Sequence, residues 1–165
     1  MQKTTLSLLT QTVLDLAAAK GVKLVTAESC TGGMIAKPLT DPAGASASFW
    51  GGFVVYANEM KQQLLGVDAA LLAEHGAVST EVAKAMAKGA VIRSPATLAV
   101  SVSGIAGPGG GNAEKPVGLV EFATFLKGDT TATANTQIFK GTRAEVRQKA
   151  TYHALNLLKE RLEHL

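Results

Sequence analysis

Val22-Lys23-Leu24-Val25-Thr26-Ala27-Glu28-Ser29-Cys30-Thr31-Gly32-Gly33 is the stretch from which the architecture can be read. Val22 to Thr26 is short and rich in β-branched residues, the pattern of a buried strand. Ala27 to Gly33 follows at once with small, polar and glycine residues, the chemistry of a tight turn. A strand feeding a turn and then a short helix that ends before Pro42 is the opening unit of an α/β domain.

Upstream, Leu6, Leu9, Val13 and Leu16 recur at helical spacing, and Gly21 stands where a left-handed cap would end that helix. The first 21 residues therefore read as helix one rather than as a signal peptide, because polar residues interrupt the apolar run that a signal would need. Downstream, Phe53 to Tyr56 reads as a second strand, and Asn58 as the N-cap of a helix Glu59 to Leu65 stopped by Gly66. Asp68 caps a short helix ending near Gly76, and Ser79 with Glu81 opens a longer Ala-rich helix that closes before Pro95. Thr97 to Val102 is the third strand. Val117 to Leu126 and Thr131 to Phe139, joined by Lys127-Gly128-Asp129, form a hairpin. Thr142 and Glu145 make a capping box for the last helix, with Val146, Ala150, Leu157 and Leu158 on its inner face. The expected fold is a three-layer α/β/α domain, residues 1–165, with a mixed, mostly parallel sheet and a C-terminal antiparallel hairpin.

Composition narrows the function. The chain has 165 residues, 47% of them apolar and 18% charged, with a formal net charge of +3. Its Lys and Arg are dispersed, and it has only Trp50, two tyrosines and five phenylalanines, so neither a nucleic-acid groove nor a stacking platform is expected. A small anionic ligand suits the charge better. Cys30 is the single cysteine, which excludes an internal disulfide. No apolar stretch is long enough to cross a bilayer, and a cytoplasmic location is expected. The Ala-rich helices suggest a homo-oligomer without counting its subunits. No His-Glu-x-x-His motif or cysteine pair points to a metal, and no cofactor is expected.

In an open α/β sheet, ligands gather beyond the carboxyl ends of the parallel strands. Two glycine-rich loops fall there. The first places Ser29 on a strand-to-helix turn, where Gly32 and Gly33 would let backbone amides approach an oxyanion. It differs from the Gly-x-Ser-x-Gly elbow, because Ala27 and Thr31 fill the glycine positions. Cys30 is a rival nucleophile if a helix N-terminus stabilises its thiolate, or else a small core group. A serine needs a base. Lys61, in the first turn of a helix, is disfavoured as a cation there and would serve if partly buried; the alternative is a solvated surface lysine. His75 reads as a helix-terminal residue rather than a base, and His153 lies within the last helix. Tyr56 could orient the lysine or a substrate through its hydroxyl. The second loop, Ser103-Gly104-Ile105-Ala106-Gly107-Pro108-Gly109-Gly110-Gly111, is either a cradle for phosphate or ribose or a flexible crossover. Arg143 and Arg147, one turn apart, could pair with a phosphate. The expected oxyanion and substrate set is thus Cys30, Thr31, Gly32, Gly33, Ser103, Gly104, Ala106, Gly107, Arg143 and Arg147.

Thr26-Ala27-Glu28-Ser29-Cys30-Thr31-Gly32-Gly33, the segment Gly51 to Lys61, His75-Gly76-Ala77-Val78-Ser79 and Ser103 to Gly110 together closely resemble the CinA C-terminal domain family, in its order and spacing. The family includes stand-alone nicotinamide mononucleotide deamidases. The resemblance implies hydrolysis of nicotinamide mononucleotide to nicotinate mononucleotide and ammonia within pyridine nucleotide recycling. It also implies a serine/lysine mechanism, with the family serine at Ser29, the lysine at Lys61 and Tyr56 as a partner. A noncatalytic nucleotide-binding module, related to competence or DNA damage, and an amidase for another small carboxamide are the competing expectations.

Overall fold

A computed structural model describes residues 5–165. The first four residues of the expected helix one lie outside that range. The remainder forms helix α1, Thr5–Ala19, which buries Leu9, Val13, Leu14 and Ala17. Gly21, at φ 63°, ends it, with Gly21 N–H donating to Ala18 O and Val22 N–H to Ala17 O, the paired bonds of a glycine-terminated helix. Val22 is therefore spent on the turn, and strand β1 is Leu24–Glu28, two residues later than the sequence pattern suggests.

The other elements are helix α2 (Ala36–Thr40), a 3-10 turn (Ala45–Ala47), strand β2 (Phe49–Val54), helices α3 (Asn58–Leu65), α4 (Ala69–His75) and α5 (Thr80–Ile92), strands β3 (Leu98–Gly104), β4 (Leu119–Leu126) and β5 (Thr133–Ile138), and helix α6 (Arg143–Glu163). β2 begins four residues before the predicted Phe53 and ends before Tyr56. The glycines in Trp50-Gly51-Gly52 resemble a turn, but a Cβ at Gly52 would run into Thr26 and Ala36. Here glycine marks close packing of a strand rather than its end. Asn58 is the first helical residue of α3 and makes no capping bond; Ala57 holds the cap position. Asp68 and Ser79 cap α4 and α5 as expected, and the Thr142–Glu145 capping box opens α6. On α6 the fully buried residues include Val146, Ala150, Leu155 and Leu158, while Leu157 is only half-buried.

The five strands lie in the order β2-β1-β3-β4-β5. β1 pairs in parallel with β2 and β3, and the last two pairings are antiparallel. β4 alone runs against the other four. Alternation along the strands builds two cores. Leu24, Leu98, Val100, Val102, Val120 and Phe122 face α1 and α6. Val25, Ala27, Ala99, Ala123 and Phe125 face α5, against Val82, Ala83, Met86, Ala87 and Ala90. Ala83, Ala87 and Ala90 of α5 are thus buried inside the fold. This is the three-layer α/β/α fold of the sequence reading.

Register fixes the site. Glu28 lies beside both Val54 and Val102, so Ser29, Val55-Tyr56 and Ser103-Gly104 leave the sheet side by side at its carboxyl end.

Candidate active site

Ser29 follows directly from β1. Its amide donates to Val102 O at 3.0 Å, which ties the residue to the neighbouring strand. Lys61 approaches from α3, 32 residues further along the chain. Only 1% of Lys61 is exposed, and its Nζ lies 3.2 Å from Ser29 Oγ, 3.0 Å from Val55 O and 3.2 Å from Tyr56 O. Burial lowers its pKa, against weaker opposing pulls from Cys30 and Glu59. Carbonyl oxygens only accept hydrogen bonds. In the neutral amine, two hydrogens can serve the two carbonyls, which leaves the nitrogen lone pair for the serine hydroxyl.

These atoms meet in a cavity of about 180 Å³ lined by Ser29, Cys30, Tyr56, Asn58, Lys61, Ala77, Val78, Ser103, Gly104, Ala106 and Arg143. Three expectations change in detail. Tyr56 grips the lysine through its backbone carbonyl, while its exposed side chain places the hydroxyl 3.4 Å from Arg143 Nη2. Ser103 lines the cavity, but its hydroxyl donates to Ala77 O at 2.7 Å and so holds the opposite wall. Gly107 lies outside the lining and accepts from Arg143 Nη1 at 2.8 Å.

Gly32 and Gly33 do not serve as the expected oxyanion donors. Gly32 N–H donates to Ser29 O at 3.1 Å, and Gly33 N–H donates to Glu28 at 2.9 Å. Both residues line a separate groove of about 480 Å³ with Met34, Lys37, Pro38 and Gln148. Among the described residues, no backbone carbonyl accepts from the amides of Cys30 and Ala106, which do line this cavity; the Cys30 amide lies against its own thiol sulfur.

Arg143 and Arg147 also part company. Arg143 borders the cavity, whereas Arg147 donates from Nε to Cys30 O at 3.0 Å and from Nη2 to Thr31 O at 3.1 Å. Arg147 and Arg143 therefore do not converge on one anion. Thr31 is fully buried and donates to Glu28 at 2.7 Å. Burial pushes the Cys30 thiol up to about 11, which leaves it protonated near neutral pH and a poor rival to Ser29.

Glu28 is the main residue that sequence reasoning missed. It is fully buried, yet accepts from Thr26 Oγ1, Thr31 Oγ1 and the amides of Gly33, Ile35 and Ala36 at 2.7–3.2 Å. The signal was a carboxylate at the end of a buried strand, where it must find donors or remain desolvated. Asn58, Ala77 and Val78 were missed as well; the last two sit in the His75 to Ser79 segment that carried part of the resemblance.

His75 ends α4, 3.7 Å from Glu81 and 3.8 Å from Glu74, outside the cavity. His153 contacts Asn135 and packs edge-on to Phe122. Among the described residues, no group of three His, Cys, Asp or Glu side chains is placed to hold a metal ion, and no helix is long and apolar enough to cross a membrane.

Known proteins place this geometry in a family. A nicotinamide-nucleotide amidohydrolase, PncC, of Escherichia coli is 51% identical over 140 residues, 85% of this chain and 84% of its own length. A CinA-like protein of Anaeromyxobacter dehalogenans is 52% identical over 142 residues, 86% of this chain but 34% of its own length. The chain spans about a third of such longer relatives. The crystal structure of a CinA superfamily protein from Klebsiella pneumoniae superposes with a TM-score of 0.92 at 35% identity, covering 98% of this chain and all of that one. Residues 6–162 match the model of the CinA C-terminal domain. The sheet order, the serine turn and these matches agree: the chain belongs to the CinA C-terminal domain family.

Proposed function

We propose that this chain hydrolyses the carboxamide of nicotinamide mononucleotide to nicotinate mononucleotide and ammonia, with Ser29 as nucleophile and Lys61 as its base. One observation carries the reading: a buried amine that lies 3.2 Å from a serine oxygen and is held there by two carbonyls. Similarity to PncC over most of both chains supports the substrate, and with it a place in pyridine nucleotide recycling.

Neutral Lys61 takes the Ser29 proton as Oγ bonds to the carboxamide carbon. The Cys30 amide, on the residue after the nucleophile, is the first oxyanion donor, and the Ala106 amide is a candidate for the second. The resulting ammonium returns its proton to the nitrogen as the carbon–nitrogen bond breaks. Ammonia leaves an acyl-enzyme. Water then adds to the ester, gives a proton to Lys61, and the proton passes to Ser29 Oγ as the acid departs. Arg143, at the cavity edge beside Tyr56, is the side chain placed to meet the phosphate.

Ammonia release from nicotinamide mononucleotide tests this. The unsubstituted chain should turn over; Lys61→Ala should lose about 10²–10⁴-fold in kcat, and Ser29→Ala at least as much. Binding without turnover by the unsubstituted chain would favour the noncatalytic module instead. Turnover only on other small amides would reassign the substrate and keep the chemistry.

A further inference from the structure

The Ser29 turn is gripped from two sides by charged groups that take no part in the proposed proton transfers. On one side the Glu28 carboxylate collects five donors, three of them backbone amides of residues 33, 35 and 36. On the other, the Arg147 guanidinium reaches across from α6 and collects two successive carbonyls, Cys30 O and Thr31 O. Acidic and basic groups thus sort the polar backbone of one loop, amides to the carboxylate and carbonyls to the guanidinium.

The peptide unit makes this sorting consequential. In a planar trans peptide, the carbonyl and the next N–H point in opposite directions. Arg147 on Cys30 O therefore turns the Thr31 N–H away from α6. Arg147 on Thr31 O turns the Gly32 N–H back towards Ser29 O, where it donates at 3.1 Å. With Ser29 O so held, the Cys30 N–H on the same peptide unit is directed away from that bond, and no backbone carbonyl accepts from it.

We propose that Glu28 and Arg147 are positioning residues that together lock the 29–36 turn in the orientation presenting the Cys30 amide to the developing oxyanion. The inference rests on Ser29 being the nucleophile. Neither residue touches substrate. Their effect belongs to the transition state, so it should fall on kcat rather than on KM.

The experiment uses Arg147→Met, Arg147→Lys and Glu28→Gln, each scored per folded molecule by near-ultraviolet circular dichroism. Two rates are read: ammonia release from nicotinamide mononucleotide, and phosphonylation of Ser29 by an alkyl fluorophosphonate followed by intact mass. The second needs an oxyanion hole but no particular substrate. Arg147→Met is expected to lower kcat and the labelling rate together, by about tenfold to a hundredfold, with KM changed less than about twofold. Arg147→Lys should regain part of both, because one ammonium can still reach a carbonyl but cannot fork across two. Glu28→Gln, if it folds, should follow the same split. Folded Arg147→Met that keeps kcat and labelling within about twofold of the parent would overturn the proposal, since a brace that only stabilises the fold moves melting temperature and nothing else. If the parent is labelled but releases no ammonia, the substrate reading falls and labelling alone judges the brace. If the parent does neither, both inferences fall.

Discussion

At the scale of single residues, Lys61 is the group whose protonation controls the proposed reaction. Its pKa lies below that of a free lysine because burial disfavours the ammonium. The neutral, competent form therefore appears at lower pH than for a solvent-exposed lysine, and activity should rise with pH through that lowered pKa. Stability carries the complementary sign. Unfolded Lys61 binds a proton more tightly than folded Lys61, so its burial costs most at low pH and least as pH climbs towards 10.5. The melting temperature of Lys61→Met relative to the parent should accordingly fall as pH is raised from neutrality, by about 2–4 °C for each kcal/mol involved. Cys30 gives a second expectation. With its thiol pushed up to about 11, Cys30→Ala should keep most of the turnover, and iodoacetamide should alkylate the folded protein slowly near neutral pH. Spacing and position carried Ser29 as a candidate but left Lys61 open between base and surface cation until the family resemblance assigned it, because helical position says nothing about whether a side chain is enclosed. The two carbonyls that enclose it belong to residues five and six positions earlier, beyond the end of β2, and only the folded loop brings them to Nζ.

At the scale of elements, helix α3 must seat Lys61 to within tenths of an ångström, and it does so by leaning on α5. A Cβ placed on Gly89 of α5 would strike the Leu65 carbonyl at the end of α3. That neighbour is backbone, so relief requires moving the helix. Gly89→Ala, favourable by intrinsic helix propensity, should instead destabilise the fold by about 1–3 kcal/mol and lower kcat as Lys61 is displaced; urea melts and ammonia release check the pair. The elements themselves were legible. Periodicity, the cap residues Asp68, Ser79 and Thr142, and the stop glycines Gly21 and Gly66 marked every α-helix but α2, for which the only signal was Pro42 beyond its end. The errors came where one residue type serves two purposes. Gly51 and Gly52 fell before the expected strand but lie within it, Gly52 packed against Thr26 and Ala36, and Asn58 looked like a cap but is the first residue of its helix.

At the scale of the whole molecule, the site joins residues from Glu28 to Arg147, so it exists only when the last helix has docked on the first turn. Loss of ammonia release and loss of helical signal should therefore coincide in a denaturant titration; activity vanishing well before the helices melt would show that α6 contributes less. The layered α/β architecture was readable from alternation of elements, whereas the split between Arg143 and Arg147 was not. Residues four apart on a helix share a side, and nothing local tells which of them the distant Ser29 turn will claim. Water exclusion around the amine has a last consequence. Its basicity is set mainly by desolvation rather than by a neighbouring cation, so dissolved ions have little field to shield there. From low to molar sodium chloride, the pH at which turnover reaches half its maximum should scarcely move, while attraction of an anionic substrate to Arg143 at the rim should weaken over a Debye length shrinking from about 10 Å to about 3 Å.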